Sequence, residues 1–175
     1  QIVTARTANI SSGWKTVFVI LATCAEPSAP TALETAAFDL LSDIMKHHYA
    51  VAAANFFVEL ISALVAFGKS PAVPEISMRA VAFLYDCTDK LLASVTSSDG
   101  TVVNNSGSDP DTSDSIASES NALITDRLDD LRTWFPILTG LASICSHPHI
   151  DVRSSALNTL FSILTHAGAH FSGRL

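Results

Sequence analysis

Charged residues are scarce in this sequence, and positive ones are scarcer than negative ones. Charged side chains make up 15% of the 175 residues, hydrophobic ones make up 48%, and the mean hydropathy is +0.34. Such a chain can bury a large core and is not disordered as a whole. The 10 Lys and Arg residues are scattered singly among 17 Asp and Glu residues, which leaves a net charge of −7. Without a basic stripe, neither nucleic acid nor an anionic membrane surface is an expected direct partner.

Cysteine is also scarce, and its positions are far apart. Cys24, Cys87 and Cys145 are an odd number of thiols at wide spacings, which predicts neither a disulfide framework nor a zinc site. Each lies in an apolar segment, and free cysteines in such segments are usually buried. We therefore expect buried, reduced thiols and a cytosolic compartment, where disulfides are rare.

Long hydrophobic runs are missing as well. The longest candidate, from Val51 to Phe67, is interrupted by Asn55 and Glu59 and is shorter than the roughly 18 residues of a membrane span. No signal peptide is visible, and the chain starts at Gln1 without a Met. These features predict a fragment of a longer cytoplasmic polypeptide.

Helical periodicity dominates what is present. Apolar residues recur every three or four positions in six segments, and no alternating strand pattern competes with them. Gly68 and Gly168 are predicted to cap the third and sixth helices at their carboxyl ends, and Pro136 predicts a kink or a restart within the fifth. The six segments are residues 12–25, 30–48, 51–67, 74–94, 121–146 and 150–167.

A repeat relates the second, fourth and sixth segments. Each contains a four-step ladder with a small Ala at its second step, which lets a neighbouring helix approach closely. The first two ladders are 43 residues apart, from Leu33 to Ile76, within the range of HEAT and armadillo repeats. The ladders are Leu33-Ala37-Leu41-Met45, Ile76-Ala80-Leu84-Thr88 and Val152-Ala156-Leu160-Leu164. We predict an all-α, armadillo/HEAT-like α-solenoid of about three helical hairpins, with an ordinary helical bundle as the alternative.

One stretch of the chain cannot support a packed core. Residues 95–120 are rich in Ser, Thr, Asp, Asn and Gly, carry five acidic residues and contain no Lys or Arg. The predicted organisation is therefore two HEAT-like hairpins in residues 1–94, a disordered acidic loop in residues 95–120, and a third hairpin of the same solenoid in residues 121–175.

Catalytic and metal-binding patterns are absent. The sequence has no G-x-S-x-G, no Gly-rich phosphate loop and no nucleophile with a positioned base. His147 and His149 form a short string with Cys145 that lacks a fourth zinc ligand. Asp129 and Asp130 lie beside arginines, as expected for solvated ion pairs. We therefore expect no catalytic residue, no metal and no cofactor in this chain.

Three stretches together resemble one protein family. Residues 9–18 (NISSGWKTVF), residues 134–138 (WFPIL) and the Asp-Val-Arg motif at residues 151–153 are similar, in order and spacing, to motifs of the large Arf guanine-nucleotide-exchange factors of the brefeldin A-inhibited type. The matching part of that family is the armadillo-like segment just downstream of the catalytic exchange domain. The motif residues, which we expect in the core, are Gly13, Trp14, Phe18, Trp134, Phe135, Pro136, Asp151, Val152, Arg153, Leu160 and Phe161.

The resemblance implies an activity for the parent protein and a role for this segment. The parent would accelerate GDP-to-GTP exchange on Arf-family GTPases at trans-Golgi or endosomal membranes. This segment, without the exchange domain, would be a non-catalytic regulator acting by autoinhibition, membrane recruitment or docking of an activated small GTPase of the Arf or Rab class. Residues 83–89 (FLYDCTD) are instead similar to the Mon-two type, which scaffolds endosome–Golgi traffic with Dopey proteins. That scaffold role and a plain structural spacer are the alternatives.

Two kinds of residue are candidates for partner binding. Solenoids often bind along the surface that their inner helices line, and the candidate polar contacts there are Arg79, Asp86, Arg153 and Asn158. Aromatic pairs at helical spacing are usually core, with a partner groove as the alternative. These pairs are Trp14 with Phe18, Phe56 with Phe57, and Trp134 with Phe135.

Overall fold

The structure is a computed structural model that describes residues 13–98 and 133–172, with side chains described for residues 13–93 and 133–166. Within these ranges the chain is helical and contains no strand, which confirms the all-α class. The helices are α1 (Trp14–Thr23), α2 (Thr31–His47), α3 (Tyr49–Lys69), α4 (Pro74–Ser98), α5 (Thr133–Ile144) and α6 (Ile150–Ser172).

The helix ends follow local sequence signals. Pro30 has extended backbone angles just before α2, and Lys46 and His47 lie in the last turn of that helix, where cations favour the helix dipole. Pro74 begins α4, which runs to Ser98 and so continues past the boundary predicted at residue 94. The rest of the predicted acidic loop, residues 99–120, lies outside the described residues.

The helices are arranged in two layers. In the first layer α1 packs on α3, and α5 packs on the other side of α3. In the second layer α2 packs on α4, and α4 packs on α6. Consecutive helices form hairpins that connect the layers, most extensively between α3 and α4. This order of three stacked hairpins is that of an α-solenoid, as the repeat predicts.

The predicted ladders form the core of the second layer. Ala37, Ala80 and Ala156, the small second steps of the three ladders, are all buried. Two ladder residues are exposed, contrary to the prediction. They are Leu33, the first step of the first ladder, and Leu164, the last step of the third. Both lie at an end of the array, where no further described helix covers them.

The glycines allow close helix contacts rather than ending helices. Gly68 lies inside α3, which continues to Lys69 and is capped by Ser70, so the predicted cap is wrong. A Cβ atom at Gly68 would lie 2.5 Å from Cδ1 of Ile144 on α5. Helix α6 likewise runs through Gly168 to Ser172. No glycine among the described residues has a positive φ, so left-handed capping is not used there.

Pro136 lies in α5, whose described part runs from Thr133 to Ile144. A proline inside a helix removes one backbone hydrogen bond and bends or breaks the helix. The kink and the restart both stay predictions, because the residues before Thr133 decide between them. The predicted helical residues 121–132 lie outside the described ranges.

Helix α3 is long and apolar enough to cross a membrane by length and composition alone, whereas the sequence predicted no such run. The structure places it between α1 and α5 in the first layer and against α4 in the second. Its most buried residues include Leu60, Ile61, Leu64 and Phe67. Such packing is typical of the central helix of a folded domain, and Phe56 interrupts the helix with a non-helical φ of −132°.

Candidate interaction surfaces

The turns between the helices of successive hairpins are joined by buried hydrogen bonds. The hydroxyl of Ser77 lies 2.8 Å from the carbonyl oxygen of Ser70 and 3.1 Å from that of Phe67, which anchors α4 to the preceding turn. Nε2 of His147, in the α5–α6 turn, lies 3.0 Å from the same Ser70 oxygen. Ser70, Ser77 and His147 are buried. One carbonyl oxygen therefore connects the second hairpin to the third.

The ring of His147 is held in one tautomer. The backbone N–H of His149 donates to Nδ1 of His147 at 3.1 Å, so the ring proton is on Nε2, which donates to Ser70. Arg153 completes this turn, because its Nη1 lies 2.8 Å from the carbonyl oxygens of both His147 and Pro148. Arg153, a predicted partner contact, thus has intramolecular partners.

Arg79 has a comparable role between α2 and α4. Its Nη2 donates to Oγ of Ser42 at 3.1 Å, and its Nη1 lies 3.9 Å from Oδ1 of Asp39. Its guanidinium carbon lies 4.9 Å from the centre of the Phe38 ring, within the range of a cation–π contact. The guanidinium group therefore links two second-layer helices and leaves only part of its surface for a partner.

Asp86 and Asn158 are exposed on the second layer. The ladder register aligns Asp86 with Asp43 on α2, and Asn158 with Asp39 on α2. Asp39 is exposed and Asp43 is half-buried. The exposed polar rows of the second layer thus consist of Asp39, Asp86 and Asn158, with the half-buried Asp43 beside them. Their role in binding a partner stays a prediction.

The motif residues divide into buried and exposed ones. Trp14 and Phe18 are buried and stacked, with ring centres 5.6 Å apart. Trp134 and Val152 are also buried. Phe135 and Phe161 are exposed, contrary to the core expectation, because no other described helix covers them. Asp151 is exposed in the first turn of α6, whereas Gly13, Pro136, Arg153 and Leu160 are half-buried.

The aromatic pairs follow the same division. Phe56 and Phe57 are half-buried against the core, and Trp134 is buried while its neighbour Phe135 is exposed. The partner-groove alternative therefore applies to Phe135 alone among these side chains.

Half-buried Tyr49 on α3 and buried Cys87 on α4 form a polar pair. Burial raises the pKa of the Cys87 thiol to about 12, and burial together with Cys87 raises the pKa of Tyr49 above its usual value of 10. Nζ of Lys90 lies 3.9 Å from the centre of the Tyr49 ring. The thiol is thus protonated and unreactive near neutral pH. Cys24 and Cys145 are free and half-buried, so full burial was predicted correctly only for Cys87.

No group of side chains suited to holding a metal ion occurs in residues 13–98 and 133–172. No three His, Cys, Asp or Glu side chains converge there. The grooves of the first layer are shallow: one of about 420 Å³ lies between α1 and α3, and one of about 320 Å³ lies between α3 and α5. The second is lined by Val58, Val65, Pro136 and Gly140 among others.

Sequence reasoning did not find the hydrogen-bonded turns. No role is predicted for Ser77, and His147 is considered only as a zinc ligand, although both are buried at the junction of two hairpins. A signal existed in the repeat. Ser77 and Arg153 occupy equivalent ladder positions, and each binds the turn before its own helix.

Comparison with known proteins identifies the class of this array. No family model and no solved structure matches the chain. The curated relatives found are guanine nucleotide-exchange proteins, and they align with almost the whole chain.

These relatives are brefeldin A-inhibited guanine nucleotide-exchange proteins. Protein 1 of Arabidopsis thaliana is 32% identical over 181 residues, and protein 3 of the same plant is 30% identical over 178 residues. Each alignment covers 98% of this chain and 10% of the relative. Protein 1 of Homo sapiens is 27% identical over 167 residues, covering 94% of this chain and 8% of the relative. The chain belongs with this family, as the counterpart of a segment of about one tenth of its members' length, which confirms the resemblance.

Proposed function

We propose that this chain is a non-catalytic regulatory segment of a large Arf guanine-nucleotide-exchange factor and that it docks an activated small GTPase of the Arf or Rab class. The observation that carries the proposal is the match to exchange proteins over 98% of the chain but only a tenth of their length. The segment would lie downstream of the exchange domain. It would act in the cytoplasm, on a parent held peripherally at trans-Golgi or endosomal membranes.

The second layer supports GTPase docking. Its exposed polar rows, Asp39, Asp86 and Asn158, lie on helices whose other faces are packed. Polar rows on a preformed surface suit a transient partner, because such interfaces are about as polar as ordinary protein surface. Membrane association would then be indirect, through the GTPase, since the chain has no polybasic patch.

Two other roles compete with this one. The same surface can bind another segment of the parent, which would make it autoinhibitory. A scaffold role of the Mon-two/Dopey type is the remaining alternative, and the match to exchange proteins favours the exchange-factor parent over it.

Flotation with liposomes tests the proposal. Arf-family and Rab-family GTPases are tethered to neutral vesicles, each loaded with a non-hydrolysable GTP analogue or with GDP, and mixed with the purified chain. We expect one GTPase to recruit the chain in its GTP-loaded form only. Absence of nucleotide-dependent recruitment by every GTPase would overturn docking and leave the intramolecular role.

A pair of variants locates the surface. Asp86→Lys lies on the exposed polar rows of the second layer and is expected to weaken recruitment about tenfold, equivalent to about 1.4 kcal/mol. Glu26→Lys makes the same charge change in the α1–α2 turn, beside the first-layer groove, and is expected to leave recruitment unchanged. Equal loss in both variants would indicate a general charge effect instead of a docking surface.

A further inference from the structure

Helix α6 carries a row of large apolar side chains on its exposed side. Leu157, Phe161 and Leu164 are 44%, 60% and 43% exposed, respectively. Their spacing of four and three residues places them on one side of the helix. We call these three residues the trailing stripe. Single exposed apolar residues are ordinary, whereas a continuous row of them marks an interaction surface.

The positions of the trailing stripe are covered in both preceding second-layer helices. In the ladder register they align with Phe38, Ser42 and Met45 on α2 and with Val81, Tyr85 and Thr88 on α4. All three on α2 are buried; on α4, Val81 and Thr88 are buried and Tyr85 is half-buried. The same three positions thus become exposed only in the last described helix.

The next hairpin is what covers these positions on α2. The Phe38 ring lies 6.1 Å from the ring of Phe83 on α4. Arg79, also on α4, lies over Phe38 and donates to Ser42. Helix α4 packs on α6 in turn. The array therefore covers these positions by adding one hairpin at a time.

The first layer is open on the same side. Gly140 of α5 faces α3 so closely that a Cβ atom there would collide with Val65. The opposite side of α5 carries Phe135, which is 62% exposed, together with Leu138 and Ala142 at helical spacing. Both helices of the third hairpin thus present apolar side chains away from the second hairpin.

We propose that the trailing stripe is the docking site for a further helical hairpin of the same polypeptide, which packs on α6 in the register that α6 uses on α4. The chain spans about one tenth of the length of its exchange-protein relatives, so polypeptides of this family have the length for more hairpins. The inference rests on the repeat register, not on GTPase docking, so either proposal can fail alone.

Other occupants fit the trailing stripe less well. A lipid surface favours cationic flanks, but the described side chains of α6 include one arginine, Arg153, which is bound to the preceding turn, and one carboxylate, Asp151. A second copy docked head to tail would leave the same face open on the next copy and would grow without closing. A hairpin of the same polypeptide would cover the trailing stripe without leaving an equivalent stripe open on another molecule. It would also avoid the entropy lost when two separate chains associate.

Cysteine labelling tests the proposal. Phe161→Cys is made in the 175-residue chain and in the natural polypeptide extended past Leu175, and maleimide labelling is read by peptide mass spectrometry. We expect rapid labelling in the 175-residue chain and labelling at least about tenfold slower in the extended one, because reaction there requires local opening. Leu157→Cys is a second probe if the first variant folds poorly.

Asn158→Cys is the matched control. Its register equivalents, Ala82 and Asp39, are exposed in both earlier hairpins, so we expect it to be labelled at the same rate in the 175-residue chain and in the extended polypeptide. Unchanged labelling of Phe161→Cys in the extended polypeptide would overturn the proposal. Protection in the 175-residue chain that rises with its concentration would assign the stripe to a second copy, and protection only with added phosphatidylcholine vesicles would assign it to lipid; both overturn the proposal.

Discussion

Ser77 and His147 are 70 residues apart in sequence, but both bind the carbonyl oxygen of Ser70. We therefore predict that the effects of mutating them on the free energy of unfolding are coupled. Each places a donor on this buried oxygen, at 2.8 Å and 3.0 Å. Removing one donor leaves the oxygen satisfied by the other. Removing both leaves a buried acceptor without a partner, which costs about 1–3 kcal/mol beyond the lost bonds.

The magnitudes follow from the bonds in each variant. Ser77→Ala removes one hydroxyl donor and should lower the free energy of unfolding by about 1 kcal/mol. His147→Leu keeps most of the side-chain volume and removes two hydrogen bonds, to Ser70 and from His149, which should cost about 2 kcal/mol. The double variant should lose about 4–6 kcal/mol rather than the additive 3 or so, because the Ser70 oxygen then has no donor.

Urea unfolding of the four proteins followed by circular dichroism measures this coupling. The control cycle pairs Ser77→Ala with Thr165→Ala, whose hydroxyl binds only the carbonyl of Phe161 in its own helix. Thr165 lies 15 residues into α6, about 22 Å along the helix from its start, and should be additive with Ser77. A double variant of Ser77 and His147 that is additive within about 0.5 kcal/mol would refute the shared acceptor.

Four further predictions follow from individual side chains. Trp14→Ala should cost about 3–5 kcal/mol of stability because the ring is buried, and a loss below about 0.5 kcal/mol would contradict its burial. Gly140→Ala should lower stability by about 1 kcal/mol, because the clash with α3 outweighs the better helix propensity; a higher melting temperature would contradict the close approach. Arg79→Ala should lower the free energy of unfolding by about 1–2 kcal/mol, because the contacts to α2 are lost. An unchanged melting temperature would contradict this structural role. The raised pKa values of Cys87, to about 12, and of Tyr49 keep both groups protonated in the folded chain while the unfolded chain loses these protons near pH 9 and 10. Their contribution to stability should therefore be constant below about pH 8. It should fall by up to about 1.4 kcal/mol per pH unit for each group, above about pH 9 for Cys87 and above about pH 10 for Tyr49, with a smaller fall in Cys87→Ala.

The ladders are the part of the fold that the sequence predicted best. Burial of Ala37, Ala80 and Ala156 follows from their small side chains at equivalent steps, and the same spacing predicts which helices are neighbours. A sequence pattern has no means of showing where an array is open, however, because Leu164 is apolar whether or not a helix covers it. The same reasoning placed Phe161 in the core, and its exposure depends on which hairpins are present.

Polar residues were harder to interpret from sequence. Arg79 and Arg153 were predicted to contact a partner because they are polar residues on the inner helices, but both bind groups of their own chain. Gly68 is of the residue type that commonly caps a helix, but here its missing side chain leaves space for Ile144 of the neighbouring helix. In each case the deciding contact joins residues from different helices, and local propensity contains no information on it.

The two candidate surfaces differ in a way that separates their roles. The exposed polar rows of the second layer contain Asp86 and Asn158, which remain hydrated without a partner, so a protein can bind and leave them without exposing new apolar surface. The trailing stripe is apolar, and leaving Phe161 and its neighbours in water has a free-energy cost of about 25 cal/mol per Å² at all times. A regulated partner is therefore expected on the polar rows and a permanent neighbour on the trailing stripe. If both exist, a hairpin docked on α6 extends the polar rows by one more helix, and the affinity for a regulated partner should increase in the longer polypeptide.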